Sequence, residues 1–319
     1  MTRLRPDYRQ GVRNRNNIFL LSVVYSFSYE VSEALQSPVF ISSAIGFNLF
    51  CEGRPKMDFG LKDKVAFVAG ASQGIGKATA IELSKEGAKG AICALDDPEL
   101  PKAVEEIRSI TGNEVIGIPA NLIVSEEAKN FIRKGLKHFG TVDILVNNSG
   151  GPPDRKFMEV DEELWKFGFR LNLLSTITMT REAVPVMMEK RWGRIINMTS
   201  VSVKQPIEGL ILSNTIRIGV VGLAKTLSNE LAPYNITVNN VCPAYIATER
   251  VRKLSVDVAQ KQGTTPDVII RKWESQMALG RMGKPGEVAA LIAFLASERA
   301  GFITGDSIQI DGGYYKGVM

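Results

Sequence analysis

The sequence predicts a doubly wound α/β fold, one parallel sheet of about seven strands with helices on both faces. Short apolar runs alternate with amphipathic stretches throughout residues 57–319, as buried parallel strands and their crossover helices do. A glycine-rich turn, Gly70-Ala71-Ser72-Gln73-Gly74-Ile75-Gly76, separates the first apolar run from the first helical one. No repeat or low-complexity linker interrupts the alternation, so the body reads as a single domain, and right-handed crossovers leave few other ways to wind it.

Val65–Ala69 is a short apolar strand ending at the glycine turn. Lys77–Glu86 spaces Ala78, Ile81 and Leu83 as a helix does and stops at Gly87. Strand Ala91–Leu95, helix Leu100–Ile110, strand Val115–Ile118 and helix Glu126–Phe139 repeat the alternation. Strand Val142–Val146 leads into Asn147–Gly150. The long helical pattern Asp161–Met188 is expected to bend near Pro185, which lacks an N–H. Strand Arg194–Met198, helix Asn214–Leu231 and strand Thr237–Val241 follow, and helix Pro285–Ser297 and strand Ser307–Ile310 close the domain.

The formal net charge is +5, of which residues 1–56 contribute +3 through seven Lys/Arg against four Asp/Glu. The body carries no basic stripe, which argues against nucleic-acid binding. Residues 1–56 begin with Arg3, Arg5, Arg9, Arg13 and Arg15 and continue into the apolar run 18–27. That imitates a signal peptide, but the run is short for a membrane span and no clean cleavage site follows. Met57 then opens a stretch that reads as a natural start for this fold. The segment is therefore expected to be an over-extended reading frame or a loosely ordered tail, with a membrane or partner anchor as the rival reading.

Cys51, Cys93 and Cys242 lack metal-ligand or CxxC spacing. Cys93 and Cys242 sit in strand-like runs and are expected as buried reduced thiols, as in a cytoplasmic protein. No metal site is expected. His138, the one histidine, reads as a surface residue.

Small residues between a strand and a helix let a pyrophosphate approach backbone N–H groups and the helix dipole. The spacing here is GxxxGxG. Asn147-Asn148-Ser149-Gly150, Asn172, Asn197-Met198-Thr199-Ser200, Pro243, Ile303-Thr304-Gly305 and Asp311-Gly312-Gly313 follow in order. In these motifs residues 60–313 resemble the short-chain dehydrogenase/reductase family and are similar to its 3-oxoacyl-(acyl-carrier-protein) reductases. The resemblance implies a cytoplasmic oxidoreductase passing hydride between NAD or NADP and a carbonyl or alcohol substrate, possible attachment of that substrate to an acyl carrier, and a homotetramer or homodimer packed through the long helices. It assigns Gly70, Ser72, Gln73, Gly74, Ile75 and Gly76 to the pyrophosphate and adenosine ribose, and Asn121 and Leu122 to the adenine. Asn148 and Gly150 would pass along the cofactor, with Ile246 and Thr248 at the nicotinamide carboxamide. Ala94 and Leu95 stand where the family places its cofactor-selecting residues. Asp96 and Asp97 follow, and two carboxylates there would repel a 2′-phosphate, which leans the expectation to NAD; both acids could equally cap the next helix.

The catalytic set departs from the family. Ser200 is in place, but Ser213 and Arg217 occupy the positions of the family's Tyr and Lys, giving SxxxR for YxxxK. Serine is a poor acid beside tyrosine, and arginine keeps its proton while still able to stabilise an oxyanion. Three readings stay open. In the first, Ser200 and Ser213 donate hydrogen bonds, Arg217 supplies charge and binds along the cofactor, and water supplies the proton. In the second, Tyr245 is the acid. In the third, the chain is a dinucleotide-binding protein with little catalysis, serving sensing or assembly. Asn172 would hold a water near the Lys position, a relay that now ends at arginine. The stretch 249–278 is expected as a substrate lid. Its excess of positive charge would greet an acidic substrate or carrier, or simply mark a solvated helix face.

Overall fold

The computed structural model describes residues 57–95 and 98–318; residues 1–56, Asp96 and Asp97 lie outside them. The strands are β1 (Val65–Val68), β2 (Lys89–Ala94), β3 (Val115–Pro119), β4 (Ile144–Asn147), β5 (Gly193–Met198), β6 (Ile236–Pro243) and β7 (Ser307–Ile310). They form one seven-stranded sheet in the order β3-β2-β1-β4-β5-β6-β7, and every pairing is parallel. The fold expected from the sequence is therefore the fold found.

The intervening helices are α1 (Gly74–Lys85), α2 (Glu99–Thr111), α3 (Ser125–Phe139), α4 (Glu162–Gly168), α5 (Ser175–Lys190), α6 (Ile211–Leu231), α7 (Glu249–Gln262), α8 (Pro266–Glu274) and α9 (Pro285–Ala296). Alternation along β1 feeds both faces of the sheet. Ala66 and Val68 join Leu83 of α1, Ile107 of α2 and Ile292 of α9. Val65 and Phe67 join Phe131 of α3, Met179 of α5 and Ala224 of α6. Cys93 and Cys242 are buried and free. His138 pairs with Glu114 on the surface (2.7 Å).

The long helical stretch carries an irregularity upstream of Pro185. Pro185 lies inside α5, and the irregularity is a π-helical turn at Phe169–Leu174. Widening the turn frees backbone carbonyls, and downstream hydroxyls take them: Ser175 Oγ donates to Leu171 O and Thr176 Oγ1 to Asn172 O (2.9 Å). Such turns are frequent at functional sites, and this one carries Asn172.

A chain of buried amides also crosses the sheet. Asn147, Asn197 and Asn240 are register partners on β4, β5 and β6. Asn147 Nδ2 donates to Asn197 Oδ1 (2.8 Å), Asn197 Nδ2 to Asn240 Oδ1 (3.1 Å) and Asn240 Nδ2 to Ser307 Oγ (3.0 Å). Slipping one strand would strand several buried polar groups, so the ladder fixes register beneath the carboxyl ends.

Candidate active site

Strand order reverses between β1 and β4, where open α/β sheets bind ligands at the carboxyl edge. This brings together the turn after β1, Asn148 after β4, Thr199-Ser200 after β5 and the segment after β6. Gly70 and Gly74 have φ of +58° and +60°, the left-handed region that suits glycine. A Cβ on Gly76 would stand 2.2 Å from Gly70 O. Asn148 Nδ2 pins the turn by donating to Ala69 O (3.1 Å) and Gly70 O (2.9 Å). Gln73 caps α1 without a side-chain hydrogen bond, and the first N–H groups of a helix have no intrahelical partner. The turn thus presents unspent N–H groups and no side-chain bulk, which fits the diphosphate of a dinucleotide.

Thr248 reaches this cradle from β6, its Cγ2 lying 3.4 Å from the Cβ position of Gly74. Its Oγ1 also caps α7 by accepting from Val251 N (3.4 Å). Ile246 is buried in the core beside Gly283. Ser72 is buried and Ile75 packs on the core. Asn121 Oδ1 accepts from Ile123 N (3.3 Å), while Leu122 is buried under the sheet, so only its backbone is available to flank an adenine. Asp96 is outside the described residues.

The second group surrounds Gly150. Asn172 Nδ2 donates to Gly150 O (2.8 Å) and Ser149 Oγ (2.8 Å). Arg217 Nη1 donates to Met198 O (2.9 Å) and Nη2 to Gly150 O (3.4 Å). Ser213 and Arg217 lie one turn apart on α6, both buried. Burial, with Arg250 nearby, pulls the Arg217 guanidinium down to about 10, so it remains charged at neutral pH. Ser200 Oγ accepts from Ser202 N (3.1 Å), and its own proton has no acceptor among the described residues.

Ser213 does not bond Ser200. Its hydroxyl pairs with Ser202 Oγ (3.2 Å), so Ser202, which sequence reasoning missed, joins the polar group. Its one sequence signal is the Ser200-Val201-Ser202 spacing. Tyr245 stacks on Trp273 (centroids 4.9 Å apart) and meets Tyr314 edge-on. Burial pushes its hydroxyl well above the usual tyrosine range, which counts against its serving as the acid. Cys242 Sγ contacts Thr199 Oγ1 (3.1 Å), and burial raises its thiol.

The stretch after β6 forms two helices, α7 and α8, whose apolar faces pack with Val201, Tyr245, Met277, Met282 and Tyr314. The second residue sequence reasoning left without a role in the site is Arg250, in the first turn of α7. Its Nη1 donates to Gly151 O (3.0 Å) and Nη2 to Pro152 O (3.4 Å).

The sequence model of the family described as "Enoyl-(Acyl carrier protein) reductase" matches residues 70–315. The chain belongs to the short-chain dehydrogenase/reductase family. Within it, the chain is 33% identical over 259 residues to the 3-oxoacyl-(acyl-carrier-protein) reductase of Aquifex aeolicus, covering 81% of this chain and all of that one. The corresponding Haemophilus influenzae reductase is 35% identical over 255 residues, covering 80% and 99%. Among solved structures, L-sorbose reductase from Gluconobacter frateurii, complexed with NADPH and L-sorbose, superposes with a TM-score of 0.79 at 29% identity, over 82% of this chain and all of that one. YwfH, an NADPH-dependent reductase involved in bacilysin biosynthesis, gives 0.77 at 30% identity, over 81% and 100%. NADPH in these neighbours lends no support to the lean towards NAD.

Proposed function

We propose that this chain is an NAD(P)-dependent reductase or dehydrogenase acting on a carbonyl or alcohol, with Ser200, Ser213 and Arg217 in place of the family's Ser, Tyr and Lys. The observation that carries this reading is a buried, charged guanidinium at the carboxyl edge that also bears the glycine cradle. The nicotinamide supplies or accepts a hydride when bound. In the reductive direction Ser200, with its proton unspent, donates a hydrogen bond to the carbonyl oxygen. Arg217 stabilises the negative charge that develops there, as a fixed cation in a poorly hydrated site does most effectively. Ser213 and Ser202 hold each other and so orient the wall between Ser200 and Arg217. The proton comes from water. Asn172 Oδ1, buried and without a protein donor among the described residues, is an acceptor suited to hold that water.

The test is to titrate the purified protein with NADH and NADPH by fluorescence and then follow nucleotide oxidation over a ketone and aldehyde panel. Saturable binding with turnover is expected. Binding without turnover would favour a sensing or assembly role, and no affinity for either nucleotide would sink the reading.

The chain is also proposed to self-associate. Trp165, Phe169, Leu173, Ile218 and Gly219 line a groove of about 690 Å³ on the outer face of α4 and α6. Phe169 and Ile218 are 44% and 49% exposed, an apolar surface of the kind that a second copy covers. Light scattering should give a dimer or tetramer, and Ile218→Asp should shift it towards monomer. A monomeric wild type would overturn this.

A further inference from the structure

Two arginines flank one glycine at the mouth of the site. Arg217 bonds Gly150 O, and a Cβ on Gly150 would lie 3.5 Å from Arg250 Nη1. Each guanidinium carries five N–H donors. Arg217 spends two, on Met198 O and Gly150 O, and Arg250 spends two, on Gly151 O and Pro152 O. Three are left on each, and among the described residues no carboxylate lies within 4 Å of either group.

Some other arginines are paired, although Arg108, Arg155, Arg191 and Arg299 also donate to carbonyls without an ion pair among the described residues. Arg252, two residues along the same helix, pairs with Glu249 (2.6 Å), and Arg281 pairs with Glu287 (2.6 Å). Buried Arg194 also lacks a carboxylate, but it bonds three carbonyls, of Gly193, Asn235 and Ser297, and sits 4.4 Å over the Trp192 ring. Asp154 lies on the same turn as Gly151 and feels Arg250. Burial outweighs that pull and raises its carboxyl, and it forms no ion pair within 4 Å of either guanidinium. Arg217 is buried and Arg250 is exposed at the mouth; two cations held close there repel each other, and a planar two-oxygen anion between them would relieve that repulsion and take up unspent donors.

We infer that the substrate is an oxo acid whose carboxylate is held by Arg250, with Arg217 shared between that carboxylate and the reacting carbonyl. This rests on the reductase reading and deepens it by naming the substrate class. Gly151 belongs to the same device: a Cβ there would meet Arg250 Nη2 at 2.3 Å. Arg250 is thus a specificity residue that ties α7 to the Gly151-Pro152 turn.

The experiment compares pyruvate, acetoacetate and levulinate with their methyl esters, reading binding by calorimetry with and without nicotinamide nucleotide, and turnover separately. At least one acid should bind more than tenfold tighter than its ester. That ratio should fall at least tenfold in Arg250→Gln. It should also fall in Gly151→Ala, which keeps the charge and displaces it. If no acid binds better than its ester, or if the ratio survives in Arg250→Gln, the inference is overturned. Carboxylate binding without turnover would sink the reductase reading and leave only a carboxylate-binding site at Arg250. Turnover of acids and esters with equal KM would do the reverse.

Discussion

Arg217→Ala should lower kcat by about 10²–10³-fold, the usual loss when a fixed oxyanion stabiliser is removed, while nicotinamide nucleotide still binds. The guanidinium is 8% exposed and fills the space between Met198 O and Gly150 O, so alanine also leaves a cavity and two carbonyls that lose a donor. Part of the loss could then come from a displaced Gly150 turn. Arg217→Lys separates the two effects, because it keeps a charge in the same place without the planar fork. It should recover a portion of kcat, whereas a purely structural role predicts that both variants lose thermal stability and activity together. Unchanged turnover of a proven substrate by Arg217→Ala would remove arginine from the mechanism.

Gly76→Ala should abolish nucleotide binding more thoroughly than any other single methyl group in the cradle. The added Cβ stands 2.2 Å from Gly70 O and 2.9 Å from both Ala71 Cα and Asn148 Nδ2. Two of these are backbone atoms, so nothing flexible can give way. Forcing such contacts costs about 1–3 kcal/mol, and the turn that must move is the one proposed to receive the diphosphate. Gly74→Ala makes an informative contrast. Its φ of +60° costs about 1–2 kcal/mol for an L-residue, yet the nearest atom to its Cβ is Thr248 Cγ2 at 3.4 Å. Fluorescence titration should show at least a tenfold rise in Kd for Gly76→Ala and a smaller one for Gly74→Ala. Equal affinities in the two variants would mean that steric closure of the turn is not what governs binding.

Much of the site was legible because its signals are local. A glycine whose Cβ would strike its own turn must be glycine in the sequence, and a strand ending in Asn-Asn-Ser-Gly announces the neighbouring wall. Ser200, Ser213 and Arg217 were found by counting along the chain, and the structure gathers Asn172 and Arg217 on one carbonyl, Gly150 O. The misses are all contacts between distant segments. Tyr245, in the segment after β6, is stacked by Trp273 of α8. Ser213, expected to donate a hydrogen bond in the site, has its hydroxyl paired with Ser202 in the fold. The π turn at Phe169–Leu174 was not foreseen; it carries Asn172, which reaches Gly150 and Ser149 from another segment.

The sequence by itself determined the doubly wound sheet and the glycine-rich turn after its first strand, because periodicity and backbone conformation are written residue by residue. Only the tertiary structure decided that Arg217 and Arg250 meet at the Gly150–Pro152 turn, with no carboxylate among the described residues within ion-pair distance of either. Whether a charge is paired depends on which side chains folding brings within a few ångströms, and that distance is not a function of separation along the chain.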